Sequence, residues 1–518
     1  MKRFYSIAGA AAVLVASACN DLEVTNPNNP DVTRALASPS DVKNIASSTM
    51  NSWYLSSTFV EPYNAMCVTA DACTANFGNF GMRFNNLEPR LPYENSSAGG
   101  DRAVAEQPWN SNYGTLGAAN DVLRAFAAGV VLPLPGETDK FKVLAQFAQA
   151  ASFMNLALIF DRAFIVDETF DPAAGKPELK PYSEVSAAAM AKWQTTITAT
   201  SGKSETYDAS IIPVAGGLTS VRLNRVANTM AALLLAYTPR NAAEAATVDW
   251  AMVASLADKG IGSGSAGAPF NFEVIGDGAI NWVSYVAAYQ DENTWMRVDQ
   301  RLINRMDPSI PVKFNGTVVP RGTSPDARYV SDYSFLVPLI GDPGRGIFMQ
   351  SPWYHSRYQY HTRTSPTKYT LAVPYLLAAE SDLVRAEALI RRTTGKDLAT
   401  AATLINNSRV TRGKLPPATS ADGENVLRNY IEYEREIELH ATSGFTLFQR
   451  RHVDGLQAGT WRHLPIPAKE LETLELPIYT FGGVGKPDMN LMLPTGELTM
   501  LRSAPKINTR AKEPSIQY

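Results

Sequence analysis

Apolar residues recur at three- and four-residue steps over several long stretches of the chain, and these stretches come in pairs. Trp109, Tyr113, Leu116, Ala119 and Leu123 fall on one helical face, and Leu144, Phe147, Ala151, Met154 and Leu158 on another, with the breaker Leu132-Pro133-Leu134-Pro135-Gly136 between them. Neither helix can bury its stripe alone, so a short connection predicts antiparallel packing. The same reasoning predicts helices over 40–54, with Ser38 or Ser40 as N-cap ahead of Pro39 or Asp41, and over 182–200, 221–237 and 248–259. From about 374 a wide apolar face returns (Leu376, Leu377, Leu383, Val384, Ala388, Ile390), followed by a partner helix over 397–412 that closes at Gly413. A last stripe runs through Val426, Tyr430, Tyr433, Ile437 and Ala441. The pattern predicts a mainly α chain of stacked helical hairpins. No strict 34-residue consensus is present, so any tetratricopeptide-like repeat is degenerate.

Between these stretches the periodicity fades. The segment 59–100 is loop-like and aromatic, carrying Phe59, Tyr63, Phe77, Phe80, Phe84 and Tyr93 among its glycines. A second irregular run spans 260–365, and the chain after Gly444 is broken by prolines. The expected division is 1–18 leader, 19–38 tether, 39–260 helical region, 261–369 irregular ligand-binding insertion, and 370–518 helical and loop-rich region. Long polar-aromatic loops in a compact protein are often functional.

The first stretch changes the picture most. Lys2 and Arg3 precede an apolar run over 7–18 that is too short to cross a bilayer and suits a secretory leader. Ala16-Ser17-Ala18-Cys19 reads as a bacterial lipobox with Ala in place of the usual first Leu, and Ala16 and Ala18 also make an ordinary A-x-A cleavage site. Lipidation of Cys19 (a palmitate-class acyl anchor) is the favoured expectation and plain secretion the alternative. One acyl chain would hold only marginally, so several are required. Asn20 to Pro30 has a tether's composition. Export provides an oxidising setting in which Cys67 and Cys73 could close a short disulfide loop, worth roughly 2 kcal/mol, the alternative being two buried thiols.

Charge and composition exclude more than they assign. With 45% hydrophobic residues the 518-residue chain can bury a large core. The formal net charge is −3, and removing Lys2 and Arg3 with the leader takes away two positive charges to leave −5, so nucleic acid is not an expected partner. The five histidines form no metal-ligand spacing, and no cofactor is implied. Gly262 to Gly267 matches G-x-G-x-x-G, yet it follows a helix and meets Pro269 where a helix should open, so it reads as a loop.

Two stretches invite chemistry. The helix around 429–444 carries Glu432, Glu434, Glu436 and Glu438, which suggests a glycosidase-type carboxylate pair. However, helical spacing favours a solvated or Arg-paired face using Arg428, Arg435, Arg450 and Arg451. No catalytic residue is assigned. The segment 351–360 offers Trp353, Tyr354, His355, Arg357, Tyr358 and Tyr360, rings that can stack on sugar or peptide while Tyr and Arg supply directional bonds. The other reading is that these rings cover the helices beneath. Trp53, Trp295, Asp71, Asn79 and Arg83 are further ligand-binding candidates of the same kind.

Taken in order, several stretches resemble the SusD/RagB family of nutrient-binding outer-membrane lipoproteins. They are CNDLEVTNPNNP from Cys19, Thr69-Ala70-Asp71, Trp109 and Tyr113 with Ala119-Asn120, LAQFAQAASFMNLALIFD from Leu144, AAESDLVRAEAL from Ala378, Glu434-Arg435 with Glu438-Leu439, and LPIPAKEL from Leu464. After Leu439 the family's EG-x-R is replaced by Thr442-Ser443-Gly444, and its NPG-type ending by Phe481-Gly482-Gly483. The resemblance implies a tetratricopeptide-like scaffold packed against a TonB-dependent SusC-like transporter. It also implies an irregular part that closes an oligomeric nutrient, glycan or peptide, over the transporter, and an Asn20-Asp21-Leu22-Glu23 signal that sends the anchored protein to the cell exterior. The expected function is therefore non-enzymatic capture of an oligomeric nutrient, glycan ahead of peptide. A secreted glycan hydrolase and a protein-binding helical scaffold are the alternatives.

Overall fold

The computed structural model describes residues 32–485, apart from 172, 174, 280, 291–295, 338, 340–343, 345, 363 and 364. The leader, Cys19 and Trp295 therefore lie outside the described residues. Ten principal helices are labelled here: α1 Pro39–Thr58, α2 Val60–Thr69, α3 Ala103–Ala127, α4 Glu137–Ile159, α5 Tyr182–Thr200, α6 Ser220–Tyr237, α7 Trp250–Asp258, α8 Ala378–Arg391, α9 Leu398–Arg409 and α10 Gly423–Glu438. α3 packs on α4, α4 on α5, α5 on α6, α6 on α7, α7 on α8, α8 on α9, and α10 on both α8 and α9, while α1 crosses α3 and α4. This is the stacked-hairpin, tetratricopeptide-like scaffold. No helix of the described residues is long and apolar enough to cross a membrane.

Local chemistry explains the boundaries. Ser38 caps α1, its hydroxyl accepting from the Asp41 amide at 3.4 Å, and Pro39 occupies the first helical position where no amide partner is needed. α4 is buried on nearly every side, so it is the central helix. Trp53 of α1, fully buried, meets Phe147 of α4 edge-on at 4.8 Å, and Phe147 meets Trp193 of α5 at 5.1 Å. Trp53 is thus a core residue and not a ligand contact. Two buried arginines finish the helices: Arg451 donates to the carbonyls of Leu158 and Tyr237 at 2.8 Å each, and Arg240 to those of Ala157 and Phe160 at 2.6 and 3.0 Å. Each places a cation on the carbonyl end of a helix, where the aligned peptide dipoles favour it.

The segment 59–100 departs from its expectation as a loop, because it opens with α2. Pro62 and burial on all sides erase the amphipathic period that would have marked it. The 260–365 run contains short strands, and the expected helix start near 374 is a strand. Labelled strands are β1 Cys73–Thr74, β2 Phe272–Ile275, β3 Arg297–Val298, β4 Tyr333–Phe335, β5 Trp353–His355 and β6 Ala372–Leu376. β1 pairs with β3, β2 with β6 and β4 with β5, all antiparallel. The G-x-G-x-x-G stretch wraps a guanidinium: Arg225 donates to the carbonyls of Gly260 and Ala268 at 2.8 Å, and of Gly262 and Gly267 at 3.3 Å. A Cβ at Gly264 would stand 2.0 Å from the Asp258 carbonyl oxygen, so glycine is required there by packing. The LPIP stretch returns along α4, where the Leu464 amide donates to the Ile159 carbonyl at 2.7 Å.

Candidate ligand-binding site

The predicted site residues separate into two groups. Trp353, in β5, is 1% exposed, with Tyr329 and Phe335 rings each at 5.2 Å and the Arg321 guanidinium also at 5.2 Å. It is the centre of a second apolar cluster with Val298, Ile303 and Ile437. Tyr354 and Tyr358 are buried too, and Arg357 is bonded to the carboxylate of Glu438 at 3.0 Å. Trp353, Tyr354, His355 and Tyr358 are therefore interior residues and do not form a ligand surface, and Tyr360 is half-buried. A half-exposed strand would show one face and bury the other, but here Trp353, Tyr354 and His355 are all buried. His355 packs between Tyr333 at 5.3 Å and His440 at 5.0 Å, and burial holds its ring well below the usual histidine range.

The glutamate row is likewise internal. Arg328, fully buried, donates to Glu434 at 2.6 and 3.0 Å, to Glu438 at 3.2 Å and to Asp326 at 2.8 Å. Burial opposes the charge on Arg328, but its bonds to Asp326 and Glu434 outweigh that and hold its pKa above the ordinary value. Arg357 and Arg412 complete the ring of cations around Glu438. Arg435 pairs with Glu387 of α8 at 2.7 Å, and Glu436 with Arg305 at 2.5 Å. Of the arginines expected to pair with the row only Arg450 reaches it, at Glu436, 3.8 Å away, while Arg435 pairs with Glu387 and Arg451 with backbone carbonyls; Glu434 and Glu438 are buried and take Arg328, Arg357 and Arg412 instead. The Glu434-Arg435/Glu438 motif therefore fastens the irregular part to α8–α10.

The remaining candidates, Asp71, Asn79 and Arg83, belong to one construction that begins at α2. Cys67 and Cys73 are joined, closing the turn that carries Asp71. Asp71, 1% exposed, pairs with Arg90 at 2.6 Å and accepts from Gln457 at 2.7 Å, and Arg301 lies 3.5 Å away. Arg301 also pairs with Glu88 and with Asp299, whose carboxyl burial pushes up. Asp71 is thus the clamp at the base of the 75–90 loop and is itself hidden from ligand. At the loop's tip Gly81 has φ +70, and a Cβ there would meet Val104 at 2.2 Å, so the turn seats directly on α3.

Two rings of this loop stand outward. Phe77 is 36% exposed and Phe84 43%, with Asn79 exposed between them and the Arg83 guanidinium 5.7 Å over the Phe84 ring. Phe80 lies 5.9 Å from Tyr289, Tyr289 stacks on Tyr285 at 5.8 Å, and Tyr285 meets Phe59 at 5.2 Å. Phe59, Phe80 and Tyr285 are partly buried against a small cluster that includes the buried Tyr289, whereas Asn79 and Arg83 stand with the exposed Phe77 and Phe84 on the 75–90 loop. Phe77, Phe80, Phe84, Tyr285 and Tyr289 were not among the predicted site residues, although three of them stand in the aromatic 59–100 loop that the sequence marks out. Exposed rings flanked by an amide and a guanidinium can stack on the apolar face of a sugar and hydrogen-bond its hydroxyls. Among the described residues no group of three metal-ligating side chains converges.

No family model matches the sequence, and no curated protein matches it. Solved structures do. A laminarin-binding SusD-like protein aligns at a TM-score of 0.58 and 15% identity, covering 86% of this chain and 98% of that one. A SusD superfamily protein from Bacteroides vulgatus aligns at 0.56 and 14% identity over 85% and 97% of the two chains. Surface glycan-binding protein A from Bacteroides uniformis aligns at 0.56 and 13% identity over 83% and 97%. The fold of this chain is the SusD-like fold.

Proposed function

We propose that the protein is a surface glycan-binding protein of the SusD/RagB type, which captures oligosaccharide on the exposed rings of the 75–90 loop. The observation that carries the reading is those rings themselves: solvent-exposed Phe77 and Phe84 beside Asn79 and Arg83, on a loop clamped by Asp71, Arg90 and Arg301. The fold adds support, since solved proteins that share it are described as laminarin-binding and glycan-binding. In this reading Cys19 carries the acyl anchor, the chain stands on the outer face of the outer membrane, and a TonB-dependent SusC-like transporter takes up the bound glycan. The protein is non-catalytic. The enclosure of Glu434 and Glu438 by arginines supports this, because neither carboxylate is presented to a substrate.

The test is retention of the pure protein in native gels containing laminarin, dextran, xyloglucan or galactomannan, with the glycan recovered and sized afterwards. Retardation by at least one glycan without chain shortening supports capture. Release of shorter products, or no retardation by any glycan, refutes it. Detection of unmodified Cys19 at the mature terminus by intact mass of the native protein would refute the anchor.

A further inference from the structure

A cavity of about 210 Å³ opens where the start of α4, the end of α5 and the hairpin of Thr206–Tyr207 on Leu218–Thr219 meet. It lies far from the 75–90 loop. Asn112 of α3 meets Asn155 of α4 at 3.0 Å and Asn120 meets Gln149 at 2.8 Å, so these two helices run antiparallel. The loop abuts Val104 at the start of α3, whereas the cavity reaches α4 at Gln146, beyond the Asn120–Gln149 contact. About twenty residues of helix, on the order of 30 Å, separate the two levels.

The cavity is lined by donors and acceptors that the chain leaves open. Gln146 presents a buried side-chain carbonyl oxygen that accepts no hydrogen bond, an unfavourable state until a donor enters. Glu205 gives one carboxylate oxygen to the Ser220 hydroxyl at 2.6 Å and keeps the other. Lys140 donates to the Thr206 carbonyl at 3.3 Å, but Lys142 and Lys203, on the same lining, pair with nothing among the described residues. Val143 and Tyr207, both buried, supply the floor.

Simple ions fit this lining badly. Phosphate or sulfate offers acceptors to the lysines but leaves the Gln146 oxygen and Glu205 without a donor, and an ammonium ion does the reverse. A hydroxyl group both donates and accepts, so a ring that carries several can serve all four side chains at once. We propose that this cavity is a second sugar site, which takes one pyranose residue through hydroxyl bonds to Gln146, Glu205, Lys142 and Lys203. Its size agrees: pockets for drug-sized ligands begin at about 300 Å³, and this smaller one suits a single ring. The site stands apart from the exposed rings of the 75–90 loop and does not depend on the function proposed for them.

The experiment titrates the methyl glycosides of glucose, galactose, mannose, xylose and N-acetylglucosamine, and separately inorganic phosphate, into the full mature chain, with binding followed by saturation-transfer NMR. At least one glycoside should bind with a Kd of about 1–10 mM, as befits so small a ligand. Gln146→Leu and Glu205→Gln should each weaken it about tenfold, and the Phe77→Ala/Phe84→Ala variant should leave it unchanged. The urea midpoint of Gln146→Leu should not fall, because the substitution removes an unpartnered acceptor, so lost binding there cannot be lost folding. Three results overturn the inference: no glycoside binds, phosphate displaces the bound glycoside at lower concentration than the glycoside itself requires, or binding is lost with Phe77 and Phe84 and kept in Gln146→Leu. Failure of the 75–90 loop to hold polymeric glycan leaves this site standing, so the two readings fail separately.

Discussion

The helical block and the loop-rich part are buried by different means. In the block, Trp53, Phe147 and Trp193 interlock α1, α4 and α5 by apolar edge-to-face packing, and buried charge sits on helix ends, as Arg451 and Arg240, and on α8, as Glu380 and Glu387. In the loop-rich part the apolar cluster around Trp353 is small, and the elements are fixed by buried ion pairs, Arg328 with Glu434 and Arg90 with Asp71. A helix carries its own backbone bonds into the interior, whereas irregular chain needs side chains to hold it. With its base clamped ionically, the 75–90 segment, which includes one short helical turn over Met82–Asn85, holds Phe77 and Phe84 toward solvent.

The sharpest way to break that contrast is to remove a clamp. Arg328→Leu leaves Glu434 and Asp326 buried without their cation, and a loss of about 3–5 kcal/mol is expected in the urea midpoint, with low soluble yield. A loss under about 1 kcal/mol would mean that the ion pairs do not fix the loop-rich part. Trp353→Ala tests the small apolar cluster and should cost about 3 kcal/mol, with glycan affinity unchanged in the folded fraction at low temperature. Loss of affinity at unaltered stability would return Trp353 to the binding surface.

The two carboxylates of α8 sharpen the comparison through pH. Glu380 accepts from Ser443 at 3.0 Å and from Gln449 at 3.1 Å, and burial pushes it up to about 7. Its folded pKa exceeds that of the unfolded chain, so its contribution to stability is complete below the unfolded value near pH 4 and is lost as pH rises through about 7. Glu387 runs the other way: burial would raise it, but Arg435 and His452 outweigh burial and depress it, so its contribution is present at neutral pH and lost on acidification. Glu380→Gln should therefore flatten the fall in thermal midpoint between pH 5 and pH 8, with a gain on the order of 2 kcal/mol at the alkaline end. An unchanged pH profile would show that Glu380 is not the group responsible.

Much of the block was legible in the chain and much of the loop-rich part was not. The 182–200 helix matches α5 end to end, because its apolar positions recur at helical spacing and Pro181 stands before it. α2 was hidden because burial on all sides leaves no polar face to set a period. The 351–360 rings looked like a ligand surface because composition records aromatic content and not what lies opposite. Trp353 is enclosed by Tyr329 and Phe335 on other segments. The partner of Glu434 lies 106 residues away in the sequence, beyond the reach of any spacing rule. The exposed rings are only half legible: Asn79 and Arg83 stand out as polar loop residues, while nothing in the sequence separates Phe77 and Phe84 from the other aromatics of that loop.

The central claim is tested most directly by the affinity of the Phe77→Ala/Phe84→Ala variant for whichever glycan retards the parent protein most, measured beside its urea unfolding midpoint. Both rings are solvent-exposed, so the account predicts a midpoint shifted by less than about 0.5 kcal/mol and an affinity lowered about tenfold or more. Unchanged affinity in the folded variant would contradict it.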